Sequence, residues 1–165
     1  MSSSAEAVLQ TGEIETRYVR AGTGAPMLLL FHTALTDPLA AALFAQLAAR
    51  YRVVAPHVPA GVGSPGMPLA TWLRALVDGL GLVRPTAIAD ESLAGTLLGF
   101  SLVDPGRVAG VVAVCRDDAD PATSVGMLHA AHGLLVVAVD SAEQPAKSAE
   151  LAIAEIVRFV DGGSA

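Results

Sequence analysis

Polar and apolar residues alternate along this chain with two periods, one near two residues and one near three and a half. Residues 14–22, "IETRYVRAG", follow the shorter period and predict an early strand closed by the turn "GTGAP". Residues 27–32, "MLLLFH", form a continuous apolar run suited to a central strand covered on both faces. "DPLAAALFAQLAARY" takes the longer period, with Asp37 as the N-cap and Pro38 at the first helical position. "RVVAPHVP" reads as the next strand, "AGVGSPGMP" as a loop, and "LATWLRALVDGLGL" as an amphipathic helix ending at glycines. "PTAIADES" predicts a strand, residues 93–103 a helix, and "RVAGVVAVC" another strand. Beyond the polar stretch "RDDADPATS" come a short helix near "VGMLHAA", the strand "LLVVAVD" and a last helix over residues 147–160.

Strands that alternate with helices imply βαβ units and a mostly parallel sheet with helices on both faces. The expectation is a three-layer, doubly wound α/β domain with about six or seven strands. The 165 residues suit one domain, with residues 1–7 and 161–165 expected to be flexible ends.

Composition narrows the function classes. Hydrophobic residues make up 53% of the chain but aromatics only 4%, so the core rests on Ala, Val and Leu, as in a covered parallel sheet. No apolar run approaches the roughly 20 residues that cross a bilayer. "MSSSAEAVLQ" has neither the basic nor the apolar region of a secretory signal, which points to a cytoplasmic protein. The net charge of −6 and the single lysine, Lys147, argue against nucleic acid and anionic membranes as partners. Cys115, the one cysteine, excludes an internal disulfide and reads as a buried structural thiol. His129 and His132 stand three residues apart without a third ligand, so neither a metal nor another cofactor is expected.

Three motifs in order carry a resemblance. "PMLLLFHTALTDP" is an apolar strand running into a His32-Thr33 loop. "LAARYRVVAPHVPAGVGSP" is a second strand and a glycine loop, with His57, Gly61, Gly63 and Ser64. "IADESLAGTLLGFSLVDPGRVAGVVAV" places Ser92 after a strand and before a helix, followed at Pro105 by the approach to the next strand. Together they resemble the α/β-hydrolase family over most of the chain, and the Ser92-to-Pro105 spacing agrees without a gap. A generic doubly wound domain of flavodoxin-like kind is the other reading.

The resemblance implies that Ser92 is the nucleophile at a strained strand-to-helix turn, with the Thr33 and Leu93 backbone N–H groups forming an oxyanion hole. Several departures qualify it. Asp90 and Ala94 occupy the two positions where such a turn uses small residues, and His57 replaces the family's aspartate. The late acid falls at Glu143 or Asp140 in one register and at Asp118 or Asp120 in another. No histidine follows His132, so the family's triad cannot be assembled, and the stretch from Arg116 to Gly133 is too short for a lid.

These departures leave His32, Asp90 and Glu91 as the candidate bases beside Ser92. Each has a plainer role available: His32 can hold its loop, Asp90 can cap the following helix, and Glu91 can be a solvated acid. The expectation is a truncated, lidless α/β-hydrolase-like enzyme of non-standard mechanism. Its substrate would be a small apolar carbonyl compound undergoing hydrolysis, elimination or cyclisation, as in a biosynthetic tailoring step. The alternative is a catalytically inactive small-molecule-binding or assembly protein. Homo-oligomerisation, as a dimer, is expected through the Val-rich edge left by a missing terminal strand.

Overall fold

The computed structural model describes residues 4–32, 34–116, 134–139 and 143–162. The apolar run predicted as a central strand is β3 (Pro26–Leu30), whose Met27, Leu28, Leu29 and Leu30 are all buried. It pairs in parallel with β4 (Arg52–Pro56) on one side and β5 (Thr86–Asp90) on the other. β6 (Gly110–Arg116) and β7 (Leu134–Val139) continue the parallel part. β1 (Ala5–Thr11) and β2 (Ile14–Ala21) add an antiparallel hairpin beyond β4. The sheet has seven strands in the order β1-β2-β4-β3-β5-β6-β7 and is mostly parallel, as the alternation of elements predicts.

β1 starts within the segment expected as a flexible end. Ala5, Glu6 and Ala7 pair with Arg20, Val19 and Tyr18, so backbone hydrogen bonding fixes a segment whose own residues are mostly exposed. At the other end, Asp161 and Gly162 belong to the last turn of a helix, and residues 163–165 lie outside the described residues.

Among the described residues, two helices cover each face. α1 (Pro38–Leu47) and α4 (Pro145–Gly162) pack on one side with Leu29, Phe31, Ile88 and Val112. α2 (Leu69–Gly79) and α3 (Glu91–Val103) pack on the other with Leu28, Leu30, Ala87 and Ala89. Successive strand residues thus feed opposite cores, as the two-residue period requires. Asp37 caps α1 as predicted, its Oδ1 accepting from the Leu39 and Ala40 N–H groups at 2.8 and 3.3 Å. Buried Trp72 on α2 donates its indole N–H to the buried Thr16 hydroxyl at 3.0 Å, tying α2 to β2. Gly22 bears a positive φ of 81°, and a Cβ there would collide with the carbonyl oxygens of Tyr51 and Ala48.

Among the described residues, no helix is long and apolar enough to cross a membrane. The short helix predicted near "VGMLHAA" lies outside them. So do Thr33, Asp118, Asp120, His129, His132 and Asp140.

Candidate functional site

In an open parallel sheet, ligands collect outside the C-terminal ends of the strands. There β3 and β5 run side by side, with Leu30 opposite Ala89, so His32 and Asp90 emerge next to each other. The His32 backbone N–H donates to Asp90 Oδ2 at 2.8 Å. On the other oxygen, Asp90 Oδ1 accepts from the Ser92 hydroxyl at 2.6 Å and from the Leu93 backbone N–H at 3.2 Å. One carboxylate therefore gathers three of the residues singled out from the sequence.

Asp90 does this as a helix cap. Its backbone is extended (φ −68°, ψ 168°) and its side chain reaches over the first turn of α3. The cap moves the helix start. The helix expected from Leu93 begins at Glu91, which makes Ser92 its second residue instead of the apex of a turn. Among the described residues, the only non-glycine residue with positive φ is Arg84, so the backbone at Ser92 is unstrained. The Leu93 N–H, expected as an oxyanion donor, is bound to Asp90.

The other candidates separate from this cluster. Glu91 is exposed at the first position of α3, and its charge reaches the buried Cys115 thiol. That thiol is pushed up mainly by burial and secondarily by Glu91. Glu143 pairs with Lys147 at 3.4 Å, in the i,i+4 relation that brackets the start of α4. His57 is exposed, and its N–H donates to the Arg17 carbonyl at 2.8 Å, extending the β4–β2 pairing.

A cleft of about 580 Å³ opens beside the cluster. His32 and Leu93, whose amides hold Asp90, line one side, and Val58, Val62 and Leu69 supply an apolar wall. Ser64, named in the glycine-loop motif, also lines it, as does Thr96, which was not singled out from the sequence. Thr96 was findable, because it stands four residues after Ser92 and so shares its helix face. Ser64 lies in the glycine loop, where its hydroxyl donates to the Gly61 carbonyl at 2.6 Å. Among the described residues, no three metal-ligating side chains converge.

The architecture matches solved structures from end to end. A protein described as a "predicted CIB-like hydrolase" from Thermoplasma acidophilum superposes with a TM-score of 0.72, covering 97% of this chain and 99% of that one at 14% identity. The naproxen esterase (carboxylesterase NP) of Bacillus subtilis gives the same TM-score of 0.72, with coverages of 96% and 92% at 13% identity. This chain has the α/β-hydrolase fold. The likeness to epoxide hydrolase VrEH1 of Vigna radiata is more partial: a TM-score of 0.57 at 22% identity, covering 67% of this chain and 40% of that one. No family model matches the sequence, and no curated protein matches it. At these identities the likeness concerns the α/β-hydrolase scaffold, and the chemistry has to be argued from Asp90 and its surroundings.

Proposed function

We propose that the chain is an α/β-hydrolase-fold enzyme that moves a proton on a small, largely apolar carbonyl compound, with Asp90 as the base. The observation that carries this reading is the placement of Asp90. Its carboxylate is held by the His32 and Leu93 N–H groups and by the Ser92 hydroxyl, next to an apolar cleft that those two residues line.

The chemistry follows from charge. As Asp90 takes a proton from a carbon beside the substrate carbonyl, negative charge leaves the carboxylate and develops on the substrate oxygen. The His32 and Leu93 N–H groups and the Ser92 hydroxyl hold Asp90 in one orientation through the transfer. Enolisation of this kind underlies elimination and cyclisation. It needs neither a strained serine nor a triad.

A second reading is supported by the unstrained backbone at Ser92: the cleft binds such a compound without transforming it. Deuterium uptake beside the carbonyl of cyclohexanone and γ-valerolactone, followed by proton NMR in D₂O, distinguishes the two. The parent should accelerate exchange, Asp90→Asn should abolish the acceleration, and Ser92→Ala should weaken it. Binding without exchange would establish the second reading. Equal exchange by the parent and Asp90→Asn would place the chemistry elsewhere.

A further inference from the structure

At the opposite edge of the sheet, where the parallel strands begin, lies a second cavity of about 580 Å³. Pro26 and Met27 at the start of β3 line it, together with Phe159 and Val160 in the last turns of α4. Arg84 and Arg158 also line it, from separate elements.

The two arginines differ from the ion-paired ones. Arg50 pairs with Asp161 at 3.8 Å, Arg74 with Asp104 at 3.6 Å, and Arg107 with both Asp78 and Asp104. Among the described residues, Arg84 and Arg158 have no acidic partner; Arg158 Nε donates only to the Ala154 carbonyl, at 3.4 Å. In a chain of net charge −6, two cations left without acids beside one apolar cavity form a local positive field.

Arg84 is also strained. Its φ is 47°, a left-handed conformation that opposes an L side chain, and the following Pro85 restricts the backbone further. Glycine would relieve the strain. Strain held at a residue lining a cavity is a pointer to a role for its side chain.

We propose that this cavity binds a small amphipathic monoanion, an aliphatic or aromatic carboxylate, with its apolar body against Phe159 and Val160 and its carboxylate between Arg84 and Arg158. The guanidinium fork suits a carboxylate. The cavity volume falls within the usual range for small-molecule sites. The C-terminal turn of α4, ending at Gly162, presents partial negative charge to the same space and so disfavours anions of higher charge. The site is independent of Asp90.

The test is an amide NMR titration of the whole chain with sodium octanoate and, in parallel, with neutral octanamide. Octanoate should shift the amides of Met27, Arg84, Ala109 and Phe159, and octanamide should bind at least about tenfold more weakly. Arg158→Ala should lose binding by a similar factor. Arg84→Gly should lose it too while keeping or raising the melting temperature, because the guanidinium goes and the strain goes with it. Equal binding of octanamide, shifts confined to the His32–Leu93 cleft, or parental affinity in both variants would each overturn the proposal.

Discussion

The Ser92 hydroxyl lies 2.6 Å from Asp90 Oδ1, two residues back in the chain, and donates its proton to that carboxylate. The relationship is that of a helix cap to the second residue of its helix. It reverses the order found at an activated serine, where a strained backbone thrusts the hydroxyl outward and a separate base reaches it. Here the hydroxyl completes the shell of an acid that also holds the His32 and Leu93 amides.

Ordinary ester hydrolysis should therefore be slow. An acyl-transfer oxyanion would have to displace Asp90 from Leu93, and Ser92 lacks the exposed apex position. Turnover of an activated ester such as p-nitrophenyl acetate should stay close to the background rate, and a fluorophosphonate should label the chain weakly. Fast labelling mapped to Ser92 by mass spectrometry would show that a base had been overlooked.

Stability should separate the two residues. Asp90→Ala removes the cap of α3 and should cost about 1–2 kcal/mol. Ser92→Ala leaves the Asp90–Leu93 bond in place and removes only an exposed hydroxyl, so its effect should stay within about 0.5 kcal/mol. Urea midpoints of the two variants make the comparison, and equal losses would mean that the cap depends on the hydroxyl.

Much of this fold was legible because the periods were clean. The run at residues 27–30 and the Asp37-Pro38 start of α1 each carry a local physical signal, and the structure has both. β1 was missed because its seven residues are mostly exposed and are held by pairing with β2 rather than by burial. The proximity of His32 to Asp90 was readable from strand order, since neighbouring parallel strands bring their ends together. The details at Ser92 were not. Resemblance to a nucleophile turn and the capping preference of Asp90 made competing claims on the same five residues, and the cap sets the backbone. The apolar wall from Val58 and Val62 belongs to a loop, whose path depends on glycine conformations that no periodic pattern encodes.

The bond between Trp72 and Thr16 offers a prediction about the core. Both residues are almost fully buried, so Thr16→Val would leave the indole N–H without an acceptor in a site closed to solvent. The expected loss is about 1–3 kcal/mol, read as a lower urea midpoint at unchanged slope. Thr16→Ser keeps an oxygen in reach and should recover part of it. If the valine variant matches the parent, the bond contributes nothing net.

The alkaline limit of stability should be set partly by Tyr51 and Cys115. Burial pushes the Tyr51 hydroxyl above its ordinary 10.0; Asp161 acts in the same direction and Arg50 opposes it. Cys115, pushed above its ordinary 9.0 by burial and by Glu91, behaves alike. Both groups are neutral when protonated, and the fold favours that form. Below the ordinary values, folded and unfolded chains hold these protons equally. As pH rises past them, the unfolded chain releases protons that the folded chain retains, so stability falls until the folded-state values are reached. Tyr51→Phe removes one contribution, together with a buried hydroxyl that has no hydrogen-bond partner among the described residues. The variant should match or exceed the parent by about 1 kcal/mol at neutral pH, and its stability should decline less steeply in alkali. Urea unfolding at about pH 7, 9 and 10.5 measures both effects. An alkaline slope identical to the parent's would mean that the phenol titrates alike in the folded and unfolded chains, and Tyr51 would then have no part in the limit.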